Sequence, residues 1–109
     1  MDLILKTCEP CKGDISPLTR AEAQNYINKT PMWTLSEGSN RIRREFKFVD
    51  YISALKFVNH VGNLSEAEGH HPEITFGWGY VNIEIFTHKI NGLHENDFIL
   101  ASKINKVYS

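Results

Sequence analysis

The chain has 109 residues, 12 Lys and Arg against 13 Asp and Glu for a formal charge of −1, with 41% of residues apolar and 23% charged. This is the profile of one soluble globular domain, too short for two ordinary domains and so without an interdomain cleft; any ligand site is expected to be shallow or shared between subunits. Near-neutral charge excludes the broad basic footprint of a nucleic-acid binder, and no apolar stretch approaches the roughly 20 residues of a membrane span. The short basic run Arg41-Ile42-Arg43-Arg44 reads as a solvated strand face, and Leu3-Ile4-Leu5 is far too short for a signal-peptide core, so the expected compartment is the cytoplasm.

Residues 1–16 read as a flexible arm, crowded with Pro10 and Gly13, ahead of a single domain over 17–109. The arm carries Cys8-Glu9-Pro10-Cys11. Such a pair can be redox-active or half of a zinc site, but no helix start follows to lower a thiolate pKa and no second pair supplies further ligands, so two reduced thiols are expected. Thr19 with Glu22 three residues on forms a capping-box pattern that opens a helix through Tyr26 and Ile27, ended with the help of Pro31. Trp33-Thr34-Leu35-Ser36 alternates, Glu37 to Asn40 supplies turn residues, and Ile42, Phe46 and Phe48 recur at even spacing along residues 41–49, which predicts a hairpin. Asp50 is a plausible N-cap for a helix over 51–68, with Ala54, Phe57, Val58, Val61 and Leu64 on one face and Gly69 as its stop. A short strand over 74–76, a turn at Gly77-Trp78-Gly79 and a longer strand over 80–88 follow; then come a loop with Asn91-Gly92 and a last helix over about 95–107. The order α-β-β-α-β-β-α predicts an α+β layer structure, a four-stranded mainly antiparallel sheet with three helices on one face and the other face open.

All five histidines, His60, His70, His71, His88 and His94, fall in the second half of the chain. The strongest local feature is Glu66-Ala67-Glu68-Gly69-His70-His71-Pro72. Here a helix ends on Gly69, and Pro72 forces His71 out of helical geometry, so two imidazoles that titrate near neutrality stand on a stiff loop. They suit proton transfer, although histidine on a surface loop is also common without function. Glu66, one helical turn before His70, is placed to orient a ring, or is simply an exposed helix carboxylate. His88 is expected to close the long strand beside the loop. Asp97 sits in the first turn of the last helix, where capping is its simplest role. Trp33 and Trp78 offer flat surfaces for stacking, with core packing the usual fate of tryptophan, while His60 and His94 read as surface or helix-end residues. The spacing of His70, His71 and His88 lacks the helical i,i+4 pair of a zinc protease, and no serine sits on a nucleophile elbow, which leaves metal-free acid–base chemistry.

Taken together, Glu66-x-x-x-His70-His71-Pro72, then Thr87-His88, then Gly92-Leu93-x-Glu95-x-Asp97-Phe98 resemble the pterin-4a-carbinolamine dehydratase family over nearly the whole chain. The arm and the segment 71–80 look like bacterial rather than animal members, which carry an aromatic residue where this chain has Ile74. The resemblance implies the same α-β-β-α-β-β-α fold assembled into dimers or tetramers. It also implies loss of water from 4a-hydroxytetrahydropterin, with no metal or redox cofactor, in the recycling of the pterin used by aromatic amino acid hydroxylases. By resemblance His70 and His88 are acid–base groups for the two faces of C4a, His71 holds and polarises the ring, and Glu66 orients a histidine; Pro72, Trp33 and Asp97 support the pocket. Two other roles known among such proteins stay open: a dimerisation cofactor for a transcription factor, and a pterin-binding protein of molybdopterin metabolism.

Overall fold

Seven regular elements appear in the expected order in the computed structural model, which describes residues 2–9 and 15–109. They are α1 (Arg20–Ile27), β1 (Thr34–Leu35), β2 (Ile42–Lys47), α2 (Tyr51–Glu68), β3 (Glu73–Gly77), β4 (Tyr80–Ile85) and α3 (Glu95–Tyr108). Each helix begins on the cap that its sequence offers. The Thr19 hydroxyl accepts from the Glu22 N–H at 3.2 Å while Glu22 accepts from the Thr19 N–H at 2.8 Å, and Asp50 accepts from the Ser53 N–H at 2.8 Å. The four strands form one antiparallel sheet in the order β1-β2-β4-β3.

Strand alternation decides which face is covered. The pairs Ile42–Ile85, Phe46–Val81, Ile74–Ile83 and Phe76–Val81 lie on one face, and Arg43–Glu84, Glu45–Asn82 and Thr75–Asn82 lie on the other. The apolar face meets Phe57 and Val61 of α2 and Phe98, Ala101 and Ile104 of α3, all buried. Each large side chain so buried contributes about 1.5–3 kcal/mol relative to exposure. α1 adds Ala23 and stacks Tyr26 on Phe98 at 4.9 Å.

Several expectations are corrected. The last strand stops at Ile85: Thr87 makes a lone bridge to Gly92, and His88 opens a 3-10 turn, His88–Ile90, closed by Asn91 in the left-handed region. The basic run is not simply solvated. Arg44 has the parity of the apolar face, lies over Phe46 and Tyr108 and donates to Asn105 Oδ1 at 2.6 Å, while Arg41 pairs with Glu84. Trp78 is 70% exposed at the β3–β4 turn rather than in the core.

The described part of the expected flexible arm is docked. Leu3–Leu5 forms a 3-10 turn with Leu3 in the core, and residues 6–9 run on along the start of α3. Leu3 of the apolar triplet supplies the anchor, while Leu5 stays exposed. Cys11 lies outside the described residues.

Candidate active site

Three pieces of chain converge beside the C-terminal end of α2. Gly69 adopts φ 67°, the left-handed conformation that ends a helix at little cost only for glycine, and the His70 N–H turns back to the Ser65 carbonyl at 3.1 Å. This reversal aims two neighbouring rings in opposite directions. His70 turns inward and is 9% exposed; its Nε2 lies 2.6 Å from Asp97 Oδ1. His71 turns outward, and its Nε2 meets Glu66 Oε1 at 2.7 Å.

Asp97 is fully buried and its acceptors are filled. Besides His70 it takes the Thr87 hydroxyl at 2.8 Å and the His94 N–H at 2.9 Å, both on Oδ2. A carboxylate only accepts, so His70 Nε2 carries the proton in this pair and Nδ1 is the ring nitrogen left for other work. His94 is the N-cap of α3, with Nδ1 accepting from the Asn96 N–H at 3.2 Å. Asp97 therefore both caps the helix and grips the histidine.

Beside these groups lies a cavity of about 470 Å³ lined by residues 66–71, by 87–89 and by Cys8 and Glu9. His70, His71, His88 and Glu66 all border it, and the His88 ring packs on Phe86 with centroids 4.1 Å apart. A larger cavity of about 750 Å³, against Leu3, Pro31 and the end of α3, contains none of the histidines. Among the described residues, no group of three His, Cys, Asp or Glu side chains is placed to hold a metal ion.

The sequence-derived set is thus divided. His70, His71, His88 and Glu66 come together, Asp97 stands behind His70, and Pro72 directs the chain from His71 into β3. Of the two rings within reach, Glu66 pairs with His71, because Gly69 swings His70 away from the α2 surface toward α3. Trp33 is not at this cavity: it is 4% exposed, edge-on to Phe46, and donates from Nε1 to Asn105 Oδ1 at 2.8 Å. Thr87 as a partner of Asp97 and Cys8 and Glu9 as a wall of the cavity are not among the site residues that the sequence points to. For Thr87 a signal existed, since it shares the parity of Val81, Ile83 and Ile85, and a hydroxyl on that parity calls for a buried partner.

Electrostatics separate the cysteine from the histidines. Burial, then the nearby Glu68 charge, push the Cys8 thiol up to about 12, so it is protonated at neutral pH. Burial works against Glu68 itself, but Lys103 at 2.7 Å and the Cys8 N–H at 2.9 Å hold its carboxylate below the ordinary range.

The family model described as pterin 4 alpha carbinolamine dehydratase matches residues 16–107. A protein of Methylococcus capsulatus whose name carries pterin-4-alpha-carbinolamine dehydratase is 50% identical over 105 residues, covering 96% of this chain and 92% of that one. One from Aromatoleum aromaticum with the same term in its name is 51% identical over 102 residues, covering 94% and 91%. Among solved structures, a transcriptional coactivator/pterin dehydratase from Brucella melitensis superposes with a TM-score of 0.81 at 30% identity, covering 86% of this chain and all of that one. A pterin dehydratase-like protein described as a RuBisCO assembly factor of the alpha-carboxysome gives 0.62 at 26% identity, covering 71% and 89%.

Proposed function

The chain belongs to the pterin-4-alpha-carbinolamine dehydratase family, and on that premise we propose that it dehydrates 4a-hydroxytetrahydropterin to the quinonoid dihydropterin by histidine acid–base catalysis. As a hydro-lyase reaction this needs one proton delivered to the 4a oxygen and one removed from N5. The C4a–O bond breaks, the N5 lone pair forms the N5–C4a double bond, and water leaves. His70 and His88 serve the two faces of C4a. His70 is fitted to cycle its proton through Nδ1 because Asp97 holds the Nε2 side and fixes the orientation of the ring. His71, steadied by Glu66, holds and polarises the pterin ring; that pair is largely exposed, so its value lies in orientation rather than in binding energy.

The observation that carries this reading is the shared cavity of His70, His71 and His88 with a buried carboxylate locked onto one of them. Synthetic 4a-hydroxytetrahydropterin is the test substrate. Acceleration over the spontaneous reaction is expected, and His70→Ala or His71→Ala should lower it about 100-fold or more with the fold intact. Absence of acceleration by the unaltered protein overturns the dehydratase reading. Activity should survive chelators, because proton transfer by imidazole suffices; a chelator-sensitive rate would bring a metal back into consideration.

In the cell the reaction would recycle the pterin of an aromatic amino acid hydroxylase in the cytoplasm, and the protein would work as a homodimer or homotetramer. A binding role for a transcription factor or another protein is the second reading, favoured by the descriptions of the two solved relatives. The complete histidine set at the cavity favours the enzyme. A site retained only for pterin binding, as in molybdopterin metabolism, would bind dihydropterin without accelerating dehydration.

A further inference from the structure

Residues 6–9 carry no periodicity and no regular structure, yet they are held by a directional two-bond clasp. The Asn96 side chain, only 2% exposed, pairs with both main-chain groups of Glu9: Oδ1 accepts from the Glu9 N–H at 3.0 Å and Nδ2 donates to the Glu9 carbonyl at 2.6 Å. An amide side chain here does what a neighbouring strand would do. One residue earlier, the Cys8 N–H donates to Glu68 Oε1 at 2.9 Å, with Glu68 fixed by Lys103, and the Cys8 thiol reaches the Asn96 carbonyl at 3.5 Å. Lys6 Nζ meets Glu95 Oε2 at 2.8 Å, and Tyr26 donates to the same oxygen at 3.0 Å. Anchors thus come from the last turn of α2 and the first turn of α3, the elements that carry Glu66 and Asp97.

Core packing accounts for Leu3 and for part of Cys8, but not for the paired main-chain hydrogen bonds on Glu9. Leu3 is already seated in the core, whereas Cys8 and Glu9 face the histidine cavity, opposite residues 66–71 and 87–89. We propose that Cys8 and Glu9, held by this clasp, form a third wall of the histidine cavity and a binding element for the pterin. It rests on the dehydratase reading for the identity of the ligand. Without the wall the cavity is a two-sided notch, open where a flat bicyclic ring needs contact.

Removal of the clasp is the test, read by KM against kcat and by equilibrium binding of a stable 7,8-dihydropterin. Glu9→Pro deletes the N–H that Asn96 accepts without touching a buried side chain, and Asn96→Leu deletes the whole amide pair. Release of the wall lowers the fraction of binding-competent protein, so KM and the dihydropterin dissociation constant should rise about threefold or more in both variants, with a smaller change in kcat. Should Asn96→Leu fail to fold, Glu9→Pro decides alone, since Glu9 is exposed. Unchanged KM and binding in Glu9→Pro, with faster amide exchange at residues 6–9 proving the clasp open, would overturn the proposal. A protein that binds dihydropterin, loses that binding in the variants and yet does not dehydrate would sink the dehydratase reading alone. One that neither binds nor dehydrates sinks both.

Discussion

At the scale of single residues, Asp97 carries more of the site than its sequence position announces. From sequence it was legible as a first-turn carboxylate at a helix start, and it does cap α3. Its link to His70 spans 27 positions and exists only once α2 and α3 pack, so no local pattern displays it. Asp97→Asn separates the two roles. Asparagine can still accept from the His94 N–H, so the capping box survives, but its amide faces the buried His70 ring and stability should fall by about 1–3 kcal/mol. The amide, however, can turn its donor toward His70 where the ring nitrogen needs an acceptor. On the proposed mechanism the dehydration rate then drops about 100-fold, measured with synthetic carbinolamine. Full activity in that variant would show that His70 works without its carboxylate. Cys8 offers an independent check on the same neighbourhood. With its thiol pushed up to about 12 from 9.0, Cys8 should react about a thousandfold more slowly with iodoacetamide near pH 8 than an unperturbed thiol, measured in a Cys11→Ser protein. Rapid alkylation would mean that residues 6–9 do not stay docked.

Elements were read from sequence with unequal success, and the failures have physical causes. The caps of α1 and α2 and the stop at Gly69 are local chemistry, and they stand where Thr19, Asp50 and Gly69 put them. Alternation along β4 placed Val81, Ile83 and Ile85 on the inner face, but continued on paper through His88, whereas the Asn91–Gly92 reversal draws the chain into a 3-10 turn. Trp33 misled because residue type cannot reveal which cavity a side chain borders; its indole ring fills the core below Phe46. Arg44 misled for the opposite reason. A guanidinium on an apolar parity is tolerated because its plane lies over Phe46 and Tyr108 and one end finds Asn105, although Nε stays buried without a partner. Gly69 supplies the prediction at this scale. A Cβ there would meet nothing within 4 Å, so Gly69→Ala meets only the backbone penalty of a left-handed φ, about 1–2 kcal/mol by denaturant titration. Because the same residue aims His70, activity should fall in the variant even at temperatures where it is fully folded.

Over the whole molecule, the layer order and antiparallel sheet were legible because hairpins and caps are short-range, while the docking of residues 2–9 was not, since its anchors lie up to 89 positions away. Those anchors make part of the stability depend on acid. Glu95 is held below its ordinary 4.5 chiefly by Lys6, and Glu68 by Lys103 and the Cys8 N–H against the effect of burial. A carboxylate with a depressed native pKa contributes stability above its unfolded value and loses it as pH falls through the native one. Urea midpoints should therefore decline as pH drops below about 4.5, and amide exchange at residues 6–9 should accelerate over the same range. A Lys6→Met, Lys103→Met protein should show a shallower decline; an identical profile would place the acid sensitivity elsewhere.

Glu95, Asn96 and Asp97 are consecutive, and each faces a different client: Lys6, the Glu9 backbone and His70. In a helix successive side chains are separated by about 100° of rotation. One residue inserted within this turn would present every client with its neighbour's side chain, whereas one inserted beside the exposed Asn91 lets the rotation be absorbed before His94. Length variation is therefore expected to be tolerated at the end of the 3-10 turn and refused from Glu95 onward, a boundary that an insertion scan through 88–98 would locate to within a residue or two.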